Sequence, residues 1–214
     1  IKKLSLYKTN FTLNTFNLKR SDVLYFGMAN ALQNIDGALY DRQLGELESV
    51  TLFSNSKIVD FKFSDYPDEA TLANNGFVSM SFIENLIRKK GQYVKVDEIT
   101  EKTIKEFVDY LNKECPYPLE KGFLEVLENI MGKTVREFPA TYDYYGKLID
   151  KLQTKVSISI CGGYGFPYIR VLNDLGVVTA EYQHGIPGKY QLNFSQYMIK
   201  DKECRAGYPR YLLT

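Results

Sequence analysis

The sequence predicts an α/β protein, an open and largely parallel sheet flanked by helices. Three observations predict it. Apolar runs short enough to be buried strands recur at Asp22–Gly27, Val156–Cys161 and Val177–Gln183. Stretches with apolar residues at helical spacing lie between the first run and the last two. The last two runs are joined by one short helix, and strand–helix–strand with brief connections is a right-handed βαβ unit with parallel strands.

Asp22-Val23-Leu24-Tyr25-Phe26-Gly27 reads as the first buried strand, closed by glycine. The polar residues 28–37 end in the turn signal Asp36-Gly37. Ala38 to Glu48 reads as helical, interrupted by Gly45. Val50–Phe53 reads as a second strand, and a short strand is expected near Ile58–Phe63. Phe77 to Lys90 reads as a helix ended by Gly91. Ile104, Phe107, Val108 and Leu111 share one helix face, and Pro116 and Pro118 end that helix. Leu119, Phe123, Val126, Leu127 and Ile130 repeat the pattern until Gly132. A further helix carries Val135, Phe138, Tyr142, Tyr145, Leu148, Ile149 and Leu152. All three stripes are expected to be core.

The best-defined unit comes last. After the strand at 156–161, Gly162-Gly163-Tyr164-Gly165 makes a turn, and Pro167 suits the first turn of a helix. Tyr168, Ile169, Val171, Leu172 and Leu175 form its buried face. Gly176 supplies the left-handed residue after its end, and the strand 177–183 follows. The last four residues, Tyr211–Thr214, read as a strand just starting.

Composition bounds the function. With 44% apolar residues the chain has material for a core, and its 17 tyrosines and 13 phenylalanines place many rings at core edges or in grooves. A net charge of +1 from 27 basic and 26 acidic residues argues against a nucleic-acid partner held by phosphate charge. Cys115, Cys161 and Cys204 are odd in number and lack zinc spacing, which fits reduced thiols in the cytoplasm. No apolar run is long enough to span a bilayer. Asp36, Asp41 and Glu46 lack metal-ligand spacing, so no metal is expected.

His184 is the only histidine, and it directly follows a strand. Ligands of open α/β sheets bind beyond the carboxyl ends of strands, and imidazole titrates near neutrality. His184 is therefore the candidate catalytic residue; a plain strand-end histidine is the alternative. Because parallel strands end on one edge, Gln183, Gly185 and Tyr164 are expected to face the same cleft, with Glu181 able to reach its rim or to be a simple strand-end carboxylate. Gly162 and Gly163 would admit backbone N–H groups to an anion, or merely serve the turn. The polar cluster Asp36–Arg42, with Asp41 among it, is a further candidate for binding hydroxyl-rich ligands; a turn followed by a capped helix is the alternative.

Glu181-Tyr182-Gln183-His184-Gly185, followed by Tyr208-Pro209-Arg210-Tyr211-Leu212-Leu213-Thr214, resembles bacterial polysaccharide-biosynthesis glycosyltransferases of the two-Rossmann-domain (GT-B) type. Asp22–Phe26 and Gly37–Asp41 resemble the start of their N-terminal half. The resemblance implies that residues 1–214 form one Rossmann-like, acceptor-side domain, with 186–214 leading into a C-terminal donor-binding domain that is missing. It implies a nucleotide-sugar donor, a glycan or lipid-linked acceptor, no required metal or other cofactor, and a cytoplasmic location at the inner membrane face. A sugar-nucleotide epimerase-like enzyme and a non-catalytic carbohydrate- or protein-binding module are the rival expectations.

Overall fold

The computed structural model describes residues 18–28, 31–49, 56–63, 77–160, 167–182 and 200–213. They fall into two compact units, one of residues 1–84 and 145–214 and one of residues 85–144.

The first unit is α/β. Six strands, β1 (Val23–Met28), β4 (Ile58–Phe63), β5 (Val78–Ser79), β6 (Val156–Ile160), β7 (Val178–Tyr182) and β8 (Tyr211–Leu213), form one sheet in the order β5-β4-β1-β6-β7-β8. Every pairing in it is parallel. Renumbered within the sheet, the order is 3-2-1-4-5-6, that of doubly wound dinucleotide-binding sheets, with the reversal between β1 and β6. The expected parallel α/β sheet is therefore present, in a Rossmann-like order.

Side chains alternate between the two faces. On one, Phe26 stacks on Phe61 at 5.0 Å and on Tyr168 at 4.4 Å between ring centroids. Tyr168 belongs to α5 (Pro167–Asp174), the crossover from β6 to β7, and Tyr145 of α4 (Lys121–Leu152) joins the same aromatic group. On the other face Val23, Tyr25, Ile158 and Ile160 make a buried cluster, against which Leu44 of α1 (Arg42–Glu48) packs. The βαβ expectation holds in detail: the helix starts at Pro167, Gly176 has φ +79°, and Val156 pairs with Val178.

Residues 32–48 depart from expectation. Ala38–Asp41 is not the start of a helix but strand β3, antiparallel to β2 (Leu32–Ile35). Asp36 and Gly37 both have positive φ, 51° and 88°, the pair of left-handed residues a two-residue hairpin turn requires. The helix waits until Arg42 because the Asp41 carboxylate caps it, accepting from the backbone N–H groups of Gln43 at 2.8 Å and Leu44 at 3.1 Å. Val50–Phe53 lies outside the described residues.

The second unit is helical, comprising the end of α2 (Met80–Gly91), α3 (Glu98–Glu114) and most of α4. Asp97 caps α3 through the backbone N–H of Thr100 at 2.9 Å. The two helices expected either side of Gly132 are one, running through Gly132 and Pro139. The stripes are core only in part. Ile104, Val108, Tyr145, Leu148 and Leu152 are buried, but Phe107 is 44% exposed and Phe123, Val126 and Ile130 are each more than half exposed. Periodicity defines a face; burial requires something to cover it, and on this stretch of α4 the described residues supply no cover.

Candidate functional site

The carboxyl ends of the central strands meet on one edge. Ile160, the last residue of β6, pairs with Tyr182, the last of β7, and β1 runs beside β6 with Phe26 opposite Ser159. Adjacent strands lie about 4.8 Å apart, so the two sequence segments expected to carry chemistry, 161–166 and 183–185, leave the sheet from neighbouring strands. Gly162, Gly163, Tyr164, Gln183, His184 and Gly185 themselves lie outside the described residues. Of the expected site residues the structure describes Glu181 and Asp41.

Glu181 is 1% exposed. It stands in register with Ser159, on the face that carries Phe26 and Phe61, while Tyr182 projects to the other. It is a carboxylate within the sheet and not on an open rim.

Asp41 is buried as well, and it belongs to a polar cluster that sequence reasoning missed. In-register pairs Tyr25–Asp60 and Gly27–Lys62 put all four residues on one face of β1 and β4. The Lys62 side chain is 0% exposed. Its ammonium donates to Asp41 Oδ2 and lies 2.7 Å from Asp60 Oδ1. It also sits 4.7 Å from the Tyr25 ring centroid and 5.2 Å from that of Phe77, each a favourable cation–π arrangement. Burial, and then the neighbouring charges of Asp41 and Asp60, push the Tyr25 phenol well above its ordinary pKa.

Asp41 thus joins two tasks, one oxygen capping α1 and the other taking the Lys62 ammonium, so α1 is bolted to the carboxyl ends of β1 and β4 by a fully buried ion pair. Two carboxylates against one ammonium fit burial because each Asp is held by charge or by backbone donors. Gly27 makes this approach possible. A Cβ there would stand 2.6 Å from Tyr25 Cε1 and 2.7 Å from Lys62 Nζ.

At the far end of α1 the polar groups reach solvent. The half-buried Tyr182 hydroxyl donates to Glu46 Oε2 at 2.9 Å, and Glu46 Oε1 is 3.7 Å from Arg42 Nε. The hydrogen bond to the Glu46 carboxylate raises the Tyr182 pKa. This group holds the last described residue of β7, directly before Gln183. The only sequence signal for the buried cluster was the alternation Asp60-Phe61-Lys62 in a short strand, which puts two opposite charges on one face.

Among the described residues no group of three or more His, Cys, Asp or Glu is placed to hold a metal ion, and no helix is long and apolar enough to cross a membrane. Comparison with known proteins finds no match for this chain among protein-family models, curated proteins or solved structures. The fold alone defines the class: an α/β protein with a Rossmann-like parallel sheet.

Proposed function

We propose that the chain is the acceptor-side half of a GT-B glycosyltransferase, moving a sugar from a nucleotide-sugar donor to a glycan or lipid-linked acceptor in bacterial surface polysaccharide synthesis. The observation that carries this reading is the 3-2-1-4-5-6 strand order, in which β6 borders the reversal and β7 lies beside it. Ligands of such sheets bind beyond the strand ends at that reversal, and the strands there lead directly into Gly162-Gly163-Tyr164 and Gln183-His184-Gly185.

In this mechanism the His184 imidazole accepts the proton of the acceptor hydroxyl as its oxygen attacks the anomeric carbon. The new C–O bond forms as the bond from that carbon to the donor phosphate breaks, and the electron pair leaves with the nucleotide diphosphate. Gly162, Gly163 and Gly185 allow the backbone close to phosphate or sugar. Gln183 and Tyr164 hydrogen-bond sugar hydroxyls. Asp41 and Glu181 act behind this surface: Asp41 anchors α1, and Glu181 lies within the sheet.

The test is a nucleotide-sugar transfer assay on the full-length gene product, with products identified by mass spectrometry. His184→Ala is expected to lose at least about 10²-fold in turnover while its circular dichroism is unchanged. Wild-type turnover in that variant removes His184 from the mechanism. Conversion of the donor to an epimer with no acceptor consumed replaces transfer by epimerisation.

A further inference from the structure

We infer that a phosphomonoester-binding site lies at the amino end of β7 and β8, sharing no residue with the transfer site proposed above. There the last turn of α5, the short helix α6 (Lys202–Arg205) and the residues entering β8 border an open pocket of about 360 Å³. That is at the lower end of the range for small-molecule sites, about 300–1,000 Å³. Asn173, Asp174, Lys202, Arg205 and Arg210 line it, together with Ala206 and Pro209.

The cavity is built by a buried side chain. Asn173 is 5% exposed, and its amide nitrogen donates to the carbonyls of Ala206 at 2.7 Å and Tyr208 at 2.9 Å. Its Oδ1 accepts from the Thr179 hydroxyl at 2.7 Å. Arg210 closes the frame, with Nη2 donating to the Asn173 carbonyl at 2.7 Å and its backbone N–H to the Thr179 carbonyl at 3.0 Å. One asparagine therefore fixes α5, β7 and the 206–210 turn to one another.

The charge at this cavity is unbalanced. Three cations border it against one carboxylate, Asp174, and the acidic side chains here have partners of their own. Asp174 takes both its contacts from Arg170 Nε at 3.0 Å, Glu203 accepts from Arg170 Nη2 at 3.1 Å, and Asp201 caps α6 through the Cys204 N–H at 2.9 Å. The negative end of the α5 dipole accounts for Arg210, which donates to a terminal carbonyl. It does not account for Lys202 and Arg205, whose side chains are exposed and have no partner among the described residues. These two exposed cations beside a third and two small apolar residues suit a dianion carried on a small polar body, a guanidinium fork matching the phosphate oxygens. Because the cations face solvent, binding weakens as salt rises.

The test is titration with glucose 6-phosphate at constant ionic strength, followed by calorimetry, with glucose and sulfate as controls. Saturable binding is expected, absent for glucose and weakened at least about tenfold in the Lys202→Gln/Arg205→Gln double variant. Both side chains are exposed, so the double variant should melt as the wild type does, and Lys202→Arg should retain binding. A parallel co-sedimentation with phosphatidate vesicles separates two sources of the group: a lipid headgroup if only vesicles bind, a soluble ester if only glucose 6-phosphate does. Binding to neither, binding unchanged in the double variant, or equal binding of sulfate overturns the proposal.

Discussion

Gly27 sits where a side chain would meet the buried cluster. A methyl group there would meet Tyr25 and Lys62, both 0% exposed, and one of them must shift. Gly27→Ala is expected to cost about 1–3 kcal/mol, read by urea denaturation with an unchanged slope. Tyr25 brings a pH dependence. Its folded pKa is raised above the unfolded value of 10.0, so the native state keeps a proton that the unfolded chain releases. Stability owed to this group is complete below pH 10.0 and falls above it, by up to about 1.4 kcal/mol per pH unit. Tyr25→Phe should flatten the alkaline limb of a stability-versus-pH curve, and an unchanged slope would mean the phenol ionises freely in the folded protein. Little of this was legible in the sequence. Asp41 stood out in a polar cluster read either as a ligand site or as a turn before a capped helix; it caps α1, but its partner Lys62 lies on a strand reached only after folding.

Elements were legible where local chemistry decides them. Pro167, Gly176 and the unbroken apolar runs on either side fix strand, helix and strand within 30 residues, and the structure follows them. They were misread where a local signal was underweighted. Asp36-Gly37 pointed to a hairpin, yet the apolar residues after it were taken for a helix. Gly132 looked like a helix end, but α4 runs through it, since surrounding turns can sustain a helix across a residue of poor propensity. Helix α3 gives a direct check on capping. The bonds from Thr100, side chain first, hold the Asp97 carboxyl below its usual 3.8. The cap is therefore complete above pH 3.8 and is lost as pH falls through the lowered value. Asp97→Ala should speed amide exchange through the first turns of α3 at neutral pH, and the difference from wild type should vanish in acid.

At the scale of the whole molecule the parallel sheet was predicted and found, while its strand order could not be read from local patterns beyond the β6–β7 unit, because the pairings of β1 with β4 and with β6 join distant stretches of chain. The two units differ in how much they bury. Most of the fully buried side chains belong to the α/β unit, whereas residues 85–144 expose Tyr93, Tyr110, Tyr117, Phe123, Val126 and Ile130. Local opening costs least where few apolar groups are buried. Hydrogen exchange is therefore expected to run faster across 98–138 than across β1, β6 and β7 under native conditions. Uniform protection throughout would mean that both units open only together.

The central pairing of the sheet also sets a timetable for synthesis. Val23 of β1 pairs with Val156 of β6, 133 residues later. At a translation speed of about 5–20 residues per second, the first strand leaves the ribosome on the order of 10 s before its neighbour exists. Through that interval Val23-Leu24-Tyr25-Phe26, all later buried, has only β4 to pair with on one side and bare solvent on the other. The wait ends only after the long helix α4 has been made in full, because β6 follows it in the chain.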